Sequence, residues 1–299
     1  MTGTPGAAAE PFGIRLRRAM DTRGPLCVGI DPHASLLAEW GLDDDVAGLE
    51  RFTRTVVESL ADRVAVFKPQ AAFFERFGSR GLAVLEHAIA DARAAGALVL
   101  TDAKRGDIGS TMAAYADAFL TPGSPLCSDA VTLSPYLGFG SLRPALDAAR
   151  RHGGGVFVLA LTSNPEGAEV QRATAADGRP VAQVILDRLA EENRGAGVLG
   201  SFGAVVGATL AETGVDLATG GPLLAPGLGA QGARAADLPR LFGAALPRVL
   251  PSVSRGVLRR GPSADGLRRA VREETERLAA VLPGPVRAPG EPGERVSER

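Results

Sequence analysis

At 299 residues, 45% hydrophobic and 22% charged, the chain has ordinary globular composition and can bury a sizeable core without disulfide or metal staples. A formal net charge of −1 excludes the basic field that nucleic-acid binding requires and points to a small-molecule partner. No run approaches the roughly 18 apolar residues of a membrane span and the N-terminus has no continuous apolar signal core, so the expected location is the cytoplasm, with no membrane partner.

Residues 1–10 read as a flexible N-terminus. The first short apolar run, 26–30, ends in VGIDPH and places Asp31 at its C-terminal end. An amphipathic stretch at 49–61 leads to the second run, 64–68, whose last residue is Lys68. From Gly81 to Ala95, Leu82, Leu85, Ala88, Ile89 and Ala92 recur at helical spacing, with Glu86, Asp91 and Arg93 on the other side. The third run, 98–102, carries Asp102 and is followed by Lys104 and Asp107. Further apolar runs at 130–133, 155–161, 203–207, 223–226 and 249–254 alternate with amphipathic segments at 111–119, 141–151, 181–194 and 264–281.

Several runs lack polar alternation, which suits strands covered on both faces of a parallel sheet. Repeated strand and helix predicts right-handed crossover units, and eight of them predict a single (β/α)8 TIM barrel over 11–282. The longest interruption, 164–180, reads as a mobile loop. The Pro/Gly/charge-rich segment 283–299 is expected to be a disordered tail.

Cys27 and Cys127 lack metal-ligand spacing and sit beside apolar runs, where a free thiol packs as a small hydrophobe. The three histidines do not cluster, no metal site is expected, and no dinucleotide or phosphate-loop fingerprint calls for a cofactor. The lysines are more telling. Of 33 basic residues only two, Lys68 and Lys104, are lysines, and both fall at C-terminal strand ends, where barrels of this kind collect functional groups. An ammonium is a compact charge that can release a proton, whereas a guanidinium stays charged. Asp102 and Lys104, two apart, are expected on one side of an extended strand, and Asp31 and Asp107 lie at neighbouring positions. Carboxylates around an ammonium would hold it charged and placed as a proton donor.

The glycine-rich segments APGLGAQG (225–232) and SRGVLRRGP (254–262) follow the seventh and eighth runs. Those loops form the common phosphate site of the fold, and Arg255 could add a bidentate contact.

The segment VLTDAKRGDIGSTM (99–112) resembles the active-site signature of the orotidine 5′-monophosphate decarboxylase family. Supporting segments include FKPQAAFFE (67–75), VTLSPYLG (131–138), LALTSNPEG (159–167) and SVSRG (252–256), with wording similar to the longer bacterial branch. The resemblance implies a cofactor-free homodimer that converts orotidine 5′-monophosphate to uridine 5′-monophosphate and carbon dioxide in de novo pyrimidine synthesis. It further implies that Asp102 faces the substrate carboxylate and Lys104 protonates carbon 6. By the same match Asp31 and Lys68 hold the ribose hydroxyls and complete the charge array, while Asp107, Ile108 and Thr111 belong to a site shared with a neighbouring subunit. Ser163 matches the pyrimidine-edge contact, Gln231 a pyrimidine-to-phosphate bridge beside Gly232, and Arg255 the phosphate clamp beside Ser254.

Two other functions fit parts of the pattern. A Mg²⁺-dependent sugar-phosphate lyase or aldolase has a related Asp-x-Lys-x-x-Asp segment, but Lys68 and the DIGST continuation speak against it. A non-catalytic phosphate-binding barrel would keep Arg255 and the glycine loops without needing the charged array.

Overall fold

The computed structural model describes residues 9–284. Eight parallel strands close into a barrel in chain order: β1 (Cys27–Ile30), β2 (Val66–Pro69), β3 (Leu98–Arg105), β4 (Ala130–Leu133), β5 (Gly155–Leu161), β6 (Phe202–Val206), β7 (Leu223–Pro226) and β8 (Val249–Val253). β8 returns to pair with β1 through Cys27 opposite Ser252. Every edge is thereby paired, and the expected (β/α)8 barrel is the observed one.

Side chains alternate between two cores. One set, including Val66, Leu98, Leu100, Ala130, Phe157 and Leu250, fills the barrel interior, while the larger set packs strands against the surrounding helices. The interior is closed from below by a helix that the periodicity reading did not single out, Phe12–Arg23. Its Phe12, Leu16 and Met20 join the inner core, and Phe12 meets Phe157 edge-on at 6.0 Å. This close approach needs glycine at 155, where a Cβ would sit 2.3 Å from the Phe12 ring. Arg15 and Arg93 both pair with the buried Asp129, which also accepts the Val99 N–H at 2.9 Å. Arg93 is therefore not a free charge on the outer face of its helix, since it also donates to the Cys127 carbonyl.

The expected helices appear with shifted ends, as at Val46–Leu60, where Asp45 caps the Gly48 N–H, and at Ala264–Ala279, where Ser263 caps Gly266. Segment 164–180 is more built than the expected loop. A turn at Pro165–Gly167 runs into the helix Ala168–Gln171, Thr174 bridges to Pro180, and Gln171 exchanges hydrogen bonds with Thr162 at the end of β5. Of the segment expected to be flexible, 1–8 lies outside the described residues, but Glu10 is paired with Arg18. The expected tail likewise lies outside them from residue 285 onward. Both cysteines are buried and free, and burial pushes the Cys27 thiol up to about 12. No helix among the described residues is long and apolar enough to cross a membrane.

Candidate active site

A cavity of about 400 Å³ opens at the C-terminal ends of the strands. Leu159, Val205 and Leu224 form its apolar floor, and Asp31, Lys68, Asp102 and Lys104 stand on one wall. Ser163, Gln231, Ser254 and Arg255 also line it.

Asp102 is the centre of the polar wall. Its Oδ2 accepts from Lys68 Nζ at 3.1 Å and Gln70 Nε2 at 2.9 Å, and its Oδ1 accepts from Lys104 Nζ at 2.7 Å and Thr132 Oγ1 at 2.8 Å. Burial alone would raise this carboxyl's pKa, but the Lys68 and Lys104 ammoniums and the hydrogen bonds from Lys104 and Thr132 hold it well below the usual range. Lys68 is as deeply buried, which works against its charge, yet Asp102 and Asp31 hold its ammonium above the usual lysine range. Both ends of the pair are thus ionised across neutral pH. With four donors on its two oxygens, Asp102 offers little room for a metal ion.

Lys104 reaches Asp102 by a route that strict strand alternation does not describe. β3 advances four positions, from Thr101 to Arg105, while β4 advances two, from Val131 to Leu133. The slack is taken up at Lys104, the only non-glycine residue with positive φ (47°) among the described residues. Asp102 and Lys104 do converge, but through a bulge with a left-handed residue instead of the expected extended backbone. Beyond it, Ser134 donates to the Arg105 carbonyl at 2.7 Å and pairing resumes.

Two orphaned atoms lie on the β1–β8 side. Asp31 Oδ1 and Ser254 Oγ are buried without a hydrogen-bond partner, and a Cβ at position 29 would lie within 3.3 Å of both side chains. Such atoms are costly unless a ligand group meets them. Arg255 faces the same cavity, and no carboxylate among the described residues pairs with it, which leaves its fork free for an anion.

The glycine loop after β7 is less open than expected. Gly229 donates to Ala233 O and Gly232 to Gly229 O, so two of its amides are committed inside the loop, and Gly232 does not line the cavity. Asp107, Ile108 and Thr111 also lie off this cavity. Asp107 turns back to accept its neighbour's N–H, and Ile108 is 63% exposed. Sequence reasoning missed Gln70 and Thr132, the two uncharged donors to Asp102, and the cavity-lining Thr162, Asn164 and Ser252. Each stood inside a quoted segment, but none carries a charge to draw attention.

The family model for the orotidine 5′-phosphate decarboxylase / HUMPS family matches residues 24–270. The chain belongs to this family. It is 72% identical over 262 residues to the orotidine 5′-phosphate decarboxylase of Streptomyces coelicolor, covering 87% of this chain and 94% of that one. Identity to the Salinispora arenicola orotidine 5′-phosphate decarboxylase is 66% over 276 residues, covering 92% and 99%. A solved structure of a Streptomyces avermitilis protein superposes with a TM-score of 0.90 at 67% identity, covering 94% and 99% of the two chains. The solved Leishmania donovani OMP decarboxylase gives 0.71 at 30% identity, covering 91% and 98%. Within this orotidine 5′-phosphate decarboxylase / HUMPS member, the match spans all eight strands and every residue of the polar wall. Helix Phe12–Arg23, which plugs the barrel, precedes it.

Proposed function

We infer that this chain decarboxylates orotidine 5′-monophosphate to uridine 5′-monophosphate and carbon dioxide, a step of de novo pyrimidine nucleotide synthesis. The observation that carries the reading is the Lys68–Asp102–Lys104 array, two ammoniums fixed by one buried carboxylate at the edge of an apolar-floored cavity. Breaking the bond between carbon 6 and the carboxyl group leaves an electron pair on carbon 6. The Lys104 ammonium stabilises that charge and supplies the proton, then regains one from solvent, to which its side chain is 44% exposed. Asp102 faces the departing carboxylate while keeping both lysines in place.

Asp31, with its unpartnered buried oxygen, and Lys68 take the ribose hydroxyls. Arg255 takes the phosphate, Gln231 bridges phosphate and ring, and Ser163 meets the pyrimidine edge. Binding energy from the remote phosphate then serves to position the ring. The array also favours this reaction over a Mg²⁺-dependent lyase, because a metal ion at Asp102 would have to displace two ammoniums.

The enzyme is a homodimer in the cytoplasm. Asp107, Ile108 and Thr111 act in the neighbouring subunit's cavity, a reading supported by their position outside their own and by the exposed apolar surface of Ile108, Tyr136 and Leu137.

The test is an assay with orotidine 5′-monophosphate in the presence of a chelator. Equal amounts of uridine 5′-monophosphate and carbon dioxide are expected. Absence of turnover by the folded protein, or turnover only with added Mg²⁺, overturns the reading.

A further inference from the structure

We propose that Thr132 is a positioning residue for proton delivery, its hydroxyl holding the left-handed backbone of Lys104 and the Oδ1 edge of Asp102 in mutual register. The proposal rests on the reading of Lys104 as the proton donor.

Thr132 lies on β4 opposite the stretch where β3 slips, between the paired residues Val131 and Leu133. The slip takes the Lys104 amide out of the regular ladder, and a buried N–H without a partner is costly. Thr132 Oγ1 accepts that N–H at 3.0 Å. A hydroxyl has one proton, and this one goes to Asp102 Oδ1 at 2.8 Å. The same oxygen of Asp102 receives Lys104 Nζ at 2.7 Å. Thr132 therefore closes a small ring of contacts in which the backbone and the side-chain tip of one lysine are referred to a common point. The arrangement also fixes polarity: an ionised Asp102 can only accept, so the single hydroxyl proton of Thr132 points to Oδ1 and favours the ionised carboxylate.

Thr132 is 1% exposed and does not line the cavity, so it acts through Lys104 and Asp102 and not on a ligand. Without the hydroxyl, nothing on β4 holds the positive φ at Lys104, and the residue can relax toward ordinary strand geometry, carrying Nζ away from Oδ1. Groups proposed for phosphate and ribose, Arg255 and Asp31, stand on other strand ends and keep their places.

Thr132→Val preserves shape and removes both hydrogen bonds. Turnover of orotidine 5′-monophosphate should fall roughly 10- to 100-fold, the factor one or two lost buried hydrogen bonds convert to. KM and the dissociation constant of uridine 5′-monophosphate should change by less than about threefold, since binding contacts lie elsewhere. Thr132→Ser, which keeps the hydroxyl, should recover most of the turnover. If the valine variant does not fold, Thr132→Ala reads the same loss without added bulk. A folded Val or Ala variant with near-parental turnover overturns the proposal, as does a folded Ser variant as impaired as they are, or a loss confined to KM. The parent enzyme, assayed alongside, separates the two readings. If it turns over substrate and the hydroxyl proves irrelevant, only the role of Thr132 fails; if the parent is inert, both fail.

Discussion

Lys104 Nζ lies 2.7 Å from Asp102 Oδ1, although the backbone at Lys104 has left extended conformation at φ 47°. The sparsely populated backbone and the short contact belong to one design, in which the strand end is bent to present the ammonium beside a buried carboxylate. Strain of this kind persists only when surrounding groups over-determine it.

Lys104→Arg keeps the charge but replaces a compact donor by a planar fork that releases protons far less readily. We expect turnover to fall on the order of 10²- to 10⁴-fold, the contribution of a positioned proton donor. Arg54→Lys is the control, because Arg54 is exposed and its only ion-pair partner among the described residues, Glu58, is 3.9 Å away. Turnover and circular dichroism of both variants check this; a folded Lys104→Arg enzyme with near-normal turnover removes Lys104 from the proton step.

Arg255→Ala removes the fork assigned to the phosphate. Product affinity should weaken about 10- to 100-fold, as for a hydrogen-bonded charge pair of roughly 1.5–3 kcal/mol. Titration calorimetry with uridine 5′-monophosphate measures it, and unchanged affinity would refute the assignment. Two amides of the glycine loop are already bonded within it, which puts more of the grip on the side chain.

Asp102→Asn should destabilise the fold at neutral pH by about 3–5 kcal/mol, because the buried Lys68 loses the carboxylate in direct contact with it and keeps only the more distant charge of Asp31. The sign of the pH dependence follows from the shifts. A carboxyl held low in the folded state contributes stability that is complete above its unfolded value, near pH 4, and is lost as pH falls toward the folded value. Lys68, held high, contributes stability that is complete below about pH 10 and is lost only above it. The stability gap between parent and variant should therefore be flat across neutral pH and narrow below about pH 4. Denaturant melts over a pH series check this, and a gap that widens in acid contradicts it.

Mixing inactive Asp107→Ala and Lys104→Ala proteins should restore activity. Free exchange makes half the dimers mixed, and each has one intact site, so about one quarter of all sites should work. If exchange is verified by mass and no activity returns, the shared-site reading is wrong.

The strands were legible because each contains a short, largely apolar run without polar alternation; Lys68 and Lys104 were legible because lysine is so rare in this chain, and Asp102 because it stands two residues from Lys104. The bulge was not. Periodicity assumes regular backbone, and no side-chain pattern announces that Lys104 is left-handed. Thr132 was hidden for a related reason: a threonine within an apolar strand reads as a β-branched filler until its hydrogen bonds are seen. Helix Phe12–Arg23 carries its apolar residues four apart, but three arginines, Arg15, Arg17 and Arg18, interleave them, and only the barrel's open lower end explains why that face is buried.

The confinement of lysine to one cavity has a practical consequence. Reagents that modify primary amines find, beyond the chain terminus, two targets on the whole molecule, of which Lys68 is sealed in and Lys104 is 44% exposed. Acylation chemistry that would scatter over the surface of most enzymes becomes a single-position probe here. The extent of labelling at Lys104 would report directly whether the cavity is filled.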